Sequence, residues 1–335
     1  MAEIVLGLGT SHAPQLSTPP ESWPRRGIWD KGLPKLVYQG QAYTYPELLE
    51  ARGGAFEREL TADKAQTRYA ACQQAISQLG ATLAQAAPDV LVMLGDDQNE
   101  VFVVQESTIP AFTVYTGPTV DNAPYHDPNR VQMGIDDATW SHMPPERISY
   151  PTVPDLAEHI VRTLIAAEFD PAHSPKLPPG RHGNSSVGHA FGFVYRRILS
   201  DRQLPNVPIF INTYYPPNQP TAKRCYEFGR TVRRAIDAWD SNQRIGIVTS
   251  GGLTHFVIDE EFDHEILRAM QARDHDALTS IAEPYLMSGN SEIKNWITLA
   301  GVMADSDLPM TLLDYVPCYR TEAGTGCGMA FARWN

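Results

Sequence analysis

The sequence predicts an α/β fold, mostly a central β-sheet flanked by helices, with the active site at the carboxyl ends of the strands. Short, largely apolar runs of strand length recur at 4–8, 90–94, 209–211 and 245–249. Stretches with helical spacing separate them, which is the signature of helices covering a sheet. Polar clusters follow directly on three of these runs, and ligands of open α/β sheets bind where such loops converge.

The first strand is Ile4-Val5-Leu6 with Leu8, closed by Gly9-Thr10-Ser11-His12 and stopped by Pro14. Residues 13–45 are rich in Pro, Gly and Tyr without a period, and so read as a long functional loop or lid. Tyr69, Cys72, Ile76, Leu79 and Leu83 step by three and four, giving a helix from Thr61 that Pro88 ends. Val90–Leu94 is a fully buried strand leading into Asp96-Asp97-Gln98, and a short strand at Phe112–Tyr115 precedes a Pro- and Asp-rich stretch reaching residue 150. Helices are predicted from Pro154 to Ala167 and from Gly188 to Leu199, with loop over 170–186. Ile209–Ile211 is a strand, and Pro220 starts a helix whose stripe is Cys225, Phe228, Val232, Ile236 and Trp239. Strand Ile245–Thr249 ends in Ser250-Gly251-Gly252-Leu253-Thr254-His255, where the glycine pair suggests a sharp turn. Helices at 263–273, 275–287 and 292–303 follow, then a strand near 310–316, a turn at Gly324–Gly328 and an apolar tail. No linker or repeat divides the chain, so one domain over 1–335 is expected.

Composition narrows the functional classes. Over 335 residues, 27 Lys plus Arg against 39 Asp plus Glu give a net charge of −12, which disfavours nucleic-acid and anionic-membrane partners. No apolar run is long enough to span a bilayer, no signal-peptide pattern opens the chain, and the four scattered cysteines suit a reducing compartment. A cytoplasmic protein is expected.

Gly9-Thr10-Ser11-His12-Ala13-Pro14, Asp97-Gln98, Gly188-His189-Ala190-Phe191, Ser250–His255 and Glu292-Ile293-Lys294-Asn295-Trp296 occur in the order found in class III extradiol ring-cleavage dioxygenases. The chain resembles the protocatechuate 4,5-dioxygenase beta-subunit type, and within it the gallate and methylgallate branch. The resemblance implies a non-haem Fe(II) cofactor, dioxygen and an aromatic catechol-type or methoxylated polyhydroxybenzoate substrate as partners. It implies His12 and Glu292 as metal ligands and His189 and His255 as the residues that move protons. The family's second histidine ligand is replaced here by Asp97-Gln98, so Gln98 is the candidate third ligand, with Asp97, Glu100, His126 and His182 as alternatives. A neutral amide oxygen binds Fe(II) less well than imidazole. Tyr214, Tyr215 and Asn295 are candidate substrate-binding residues. A homo-oligomer is expected, with a separate small subunit not required. Two rival readings stand beside this one: a metal enzyme of another reaction type on the same scaffold, and a binding subunit without catalysis.

Overall fold

The computed structural model describes residues 2–104 and 108–335. Strand β1 (Glu3–Thr10) leads into single helical turns, α1 (Trp23–Lys31), the ribbon β2 (Leu36–Tyr38) and β3 (Gln41–Tyr43), and α2 (Tyr45–Arg52). Helix α3 (Ala62–Ala86) precedes β4 (Val90–Asp96), β5 (Phe112–Tyr115), β6 (Thr119–Asn122), α4 (Asn129–Gln132), β7 (Ile148–Pro151), α5 (Pro154–Ala166) and β8 (Ala172–Ser174). Helix α6 (His189–Phe193) runs on through a π-turn to Ile198, followed by β9 (Asn206–Ile211), α7 (Ala222–Ala238), β10 (Arg244–Ser250) and β11 (His255–Val257). The chain closes with α8 (Glu260–Ala272), α9 (His275–Thr279), α10 (Ile293–Met303), β12 (Met310–Tyr319) and β13 (Thr325–Trp334).

Among the described residues the main sheet has nine strands in the order β11-β13-β1-β10-β4-β9-β5-β8, with β12 on the free side of β13. Its centre, β1-β10-β4-β9, is parallel, whereas β13 and β5 join antiparallel. Alternation along β4 sorts its side chains. Val90, Val92 and Leu94 enter the core shared with α5, α7 and α10, while Leu91 and Met93 enter the opposite core with α3 and α6. Both faces are therefore covered, which explains why these strands read as unbroken apolar runs.

The sequence reading and the structure part at several places. Residues 13–45 are ordered helical turns, a helix and a β-ribbon, because Leu16, Trp23 and Leu36 supply buried anchors without a regular period. The expected helix 275–287 stops at Thr279, and a separate 3-10 turn spans Glu283–Leu286. A ribbon, β6–β7, lies inside the Pro- and Asp-rich stretch. Only Gly324 of Gly324–Gly328 belongs to a turn; from Thr325 the segment is strand, pairing with both β11 and β12. Strand β9 passes through Pro208, which lies just before the residues that β5 pairs with, Ile209–Ile211.

Candidate active site

Parallel register brings three loops to one edge. Thr10 pairs with Ser250, Ser250 pairs with Gly95, and Gly251 N donates to Thr10 O at 3.0 Å. His12, Asp96 and the Ser250–His255 segment thus leave the sheet side by side. The first turn of α10 is fastened over them by two buried side chains. Asn295 Nδ2 donates to Asp96 Oδ1 (2.8 Å) and Ser250 O (3.1 Å), and Trp296 Nε1 donates to Gly251 O (2.7 Å). This clamp sets Glu292, the residue before the helix, against the strand ends.

His12, Asp96 and Glu292 are all buried, and each offers a ligand atom within 4.8 Å of the others. His12 is oriented by Nδ1 against Ser250 Oγ at 2.9 Å, which leaves Nε2 for the cluster. That Nε2 stands 3.2 Å from Glu292 Oε2, but not in hydrogen-bond geometry, and both it and Asp96 Oδ2 are buried without a hydrogen-bond partner. Two orphaned buried donors beside a carboxylate fit a divalent cation, because burying such groups unanswered is costly. One imidazole nitrogen and two carboxylates form a donor set suited to a first-row transition metal. Burial raises the Asp96 carboxyl to about 6, with the Glu292 charge adding to it. Burial also opposes ionisation of Glu292, but His255 and His12 outweigh it and hold Glu292 well below the usual range.

The candidates for the missing ligand separate clearly. The Gln98 side chain reaches Glu292, its amide hydrogen-bonded to Oε1. Asp97 is turned away, accepting from the backbone N–H groups of Val101 (2.9 Å) and Phe102 (2.8 Å). Glu100 is bound to His189, His182 stacks on Tyr125, and His126 is exposed. Asp96, which sequence reasoning did not propose as a ligand, joins the cluster instead. Its signal was parity: two residues beyond Leu94, it faces α10, the helix that carries Asn295.

His189 and His255 flank the cluster. The His189 ring lies edge-on to His12, with centroids 4.6 Å apart, and its Nδ1 meets Glu100 Oε2 at 2.7 Å. Burial lowers the His189 pKa, but Glu100 prevails and lifts it to about 9. The same opposition, with Glu292 as the acid, takes His255 to about 9. His255 Nδ1 lies 2.8 Å from Leu253 O, and its Nε2 stands 3.2 Å from Glu292 Oε1. The glycine pair before it serves space rather than a turn. A Cβ on Gly252 would stand 2.7 Å from the His255 ring, and neither glycine has positive φ.

A cavity of about 210 Å³ opens over this cluster, lined by His12, Gln98, His189, His255 and Glu292. Residues 13–26 and 125–135 supply most of the rest of its lining, with Glu100, Arg181, His182, Phe256, Arg320 and Cys327 completing it, so the stretch expected to cover the site supplies only part of the cover. Tyr214 and Tyr215 sit in the turn after β9, held by Asn212 and Gln219, and do not line the cavity. Asn295 does not line it either and acts on the site through Asp96. Tyr125, Arg26 and Arg130 line it without having been singled out from the sequence, because their segments carry no period to place them.

A parallel-centred α/β sheet with a buried His/Asp/Glu cluster at its strand ends defines a candidate metal centre. Residues 59–325 match the family described as the catalytic LigB subunit of aromatic ring-opening dioxygenase, and the chain belongs to that family. It is also similar to a gallate dioxygenase of Pseudomonas putida (strain KT2440), 29% identical over 163 residues. That match covers 44% of this chain and 45% of the relative, so the chain spans less than half the length of this curated relative.

Proposed function

We propose that the chain is a non-haem Fe(II)-dependent extradiol dioxygenase that opens the ring of a catechol-type or methoxylated polyhydroxybenzoate substrate with O2. We assign the whole of residues 1–335 to one catalytic domain that works in the cytoplasm as a homo-oligomer. The observation that carries the reading is the pair of orphaned buried atoms, His12 Nε2 and Asp96 Oδ2, beside Glu292 in a cavity flanked by two imidazoles. Family membership and the partial likeness to a gallate dioxygenase support it.

His12, Asp96 and Glu292 would hold the ion, with the Gln98 amide beside Glu292. Fe(II) bound there would act as a Lewis acid toward adjacent ring oxygens and provide an electron path to dioxygen. The protein's own share is positioning and proton handling. A cation held at Glu292 would offset the negative charge that keeps His255 protonated, and His255, with Nδ1–H kept on the Leu253 carbonyl, would then offer Nε2 to accept a proton from a ring hydroxyl at the cluster. His189, tied through Nδ1 to Glu100 and lining the cavity, would serve as the proton donor there. Trp23, Met133 and Ile135 line the cavity and give it an apolar wall on which a ring would rest.

Oxygen uptake by Fe(II)-loaded protein tests the reading, with one O2 consumed per ring opened as the expected result. No uptake across a panel of catechols and hydroxybenzoates would refute it. Absence of stoichiometric metal after anaerobic purification would point to the binding-subunit reading.

A further inference from the structure

A second cavity, of about 410 Å³, lies between the start of α1 and the start of α3, and Trp23 and Arg320 line both it and the cavity over the cluster. Those two side chains are therefore the wall between the two spaces. They are held differently. Arg320 is anchored twice, by Asp30 (Nε to Oδ2, 2.8 Å) and by Gln15 (Nη1 to Oε1, 3.2 Å). The Trp23 indole is buried and hangs on one hydrogen bond, from Nε1 to Thr18 O at 3.1 Å. A flat ring held at one point can tilt, whereas the guanidinium beside it stays in place.

The second cavity suits a different visitor from the first. Pro20, Pro24, Leu60, Ala62 and Ala65 give it apolar walls beside the indole. Three acids line it as well, Glu21, Glu59 and Asp63. Glu59 is answered by Lys64 and Arg68, but among the described residues no cation pairs with Glu21 or Asp63. The charge of Arg320 is already spent on Asp30, so the lining is negative on balance. An anionic ring or a ring-opened acid is repelled from such a space. A small uncharged molecule is not, and the apolar walls favour it.

The cavity over the cluster has little room for two reactants. A space of about 150 Å³ already holds benzene, so one substituted ring takes up most of the 210 Å³ above the cluster. We propose that the second cavity is the dioxygen entrance: the gas collects against the outer face of Trp23 and passes the Trp23–Arg320 wall while the ring occupies the main cavity. The inference rests on the ring-opening reading above and deepens it by giving the two reactants separate routes, sorted by charge and size, with Trp23 as the shutter between them.

Ala62 and Ala65 line the second cavity and not the first, so Ala62→Trp and Ala65→Phe fill the route without altering the seat of the ring. Initial rates of oxygen uptake by the Fe(II)-loaded full chain, with the fastest ring of the panel above held saturating and dissolved O2 varied, measure the effect. KM for O2 should rise about 3-fold or more in either variant, with turnover at saturating O2 and KM for the ring unchanged. Xenon supplies a reading that needs no turnover: crystals of the unmodified chain under xenon pressure should show the gas in the second cavity against Trp23. An unchanged KM for O2 in a folded variant overturns the proposal, as does a rise shared equally by the KM of the ring. A second cavity without xenon overturns it whether or not the variants fold. No oxygen uptake by the unmodified chain with any ring would refute the ring-opening reading itself, whereas uptake that filling the cavity does not slow at low O2 refutes the route alone.

Discussion

Replacing Asn295 with Ala should weaken metal binding without touching a metal donor. Asn295 is fully buried and its amide answers two acceptors at once, Asp96 Oδ1 at 2.8 Å and Ser250 O at 3.1 Å. Losing both leaves two buried acceptors unanswered at about 1–3 kcal/mol each, so roughly 2–6 kcal/mol of folding stability should go. The Asp96 carboxyl, already raised to about 6 by burial and Glu292, also loses a hydrogen bond that favours its ionised form. A proton then competes better with the metal, and the oriented partner of a ligand is typically worth about 10- to 100-fold in metal affinity. Anaerobic Fe(II) titration at pH 7 measures the affinity, and urea unfolding measures the stability. An Asn295→Ala protein that binds metal as tightly as the unmodified chain would refute the argument that α10 organises the cluster.

Other perturbations follow from the same geometry. Gly188→Ala would drive a Cβ into Glu100 Oε2, displacing the carboxylate that orients His189; turnover should fall about 100-fold with KM little changed, since misplacing one group costs of that order, and equal loss in both constants would contradict it. His255→Asn should lower turnover by about 100-fold or more, because the proton carrier is lost, while Fe(II) still binds through His12, Asp96 and Glu292; unchanged turnover would count against the role. Asp263 is buried and accepts from Thr254 N (2.8 Å), Thr254 Oγ1 and Tyr315 OH (2.7 Å each), and burial lifts it to about 7. Its pKa in the folded protein lies above the unfolded value of about 3.9, so the folded state keeps a proton that the unfolded chain has released, and stability should fall as pH rises from about 4 to about 7. Asp263→Asn should flatten that slope in denaturant titrations; an identical slope would count against it.

Much of the sheet was legible because its centre is parallel and covered on both faces. Strands such as Val90–Leu94 must then be continuously apolar, and the loops after them must carry the polar chemistry. His12 and His255 stood out as polar residues just beyond buried strands, His189 and Glu292 were named by the family resemblance, and all four line one cavity. Asp96 was hidden by its neighbours. In Asp96-Asp97-Gln98 the three polar residues look alike in sequence, and only the alternation of β4 and the reach of Asn295 separate Asp96 from Asp97, which caps its own loop. The cavity wall was illegible for another reason. Arg26 and Arg130 stand far apart in sequence and meet only through the carbonyls of Met133 and Ile135, a tertiary contact with no local pattern. The tyrosine pair at 214–215 was misleading because an aromatic pair beside prolines packs a turn as readily as it walls a pocket.

Anomalous scattering at the iron edge, from crystals grown anaerobically with Fe(II), tests the central claim most directly. The account predicts one peak per chain among His12 Nε2, Asp96 Oδ2 and the Glu292 carboxylate. A peak elsewhere, or none at full Fe(II) loading of the solution, would contradict it.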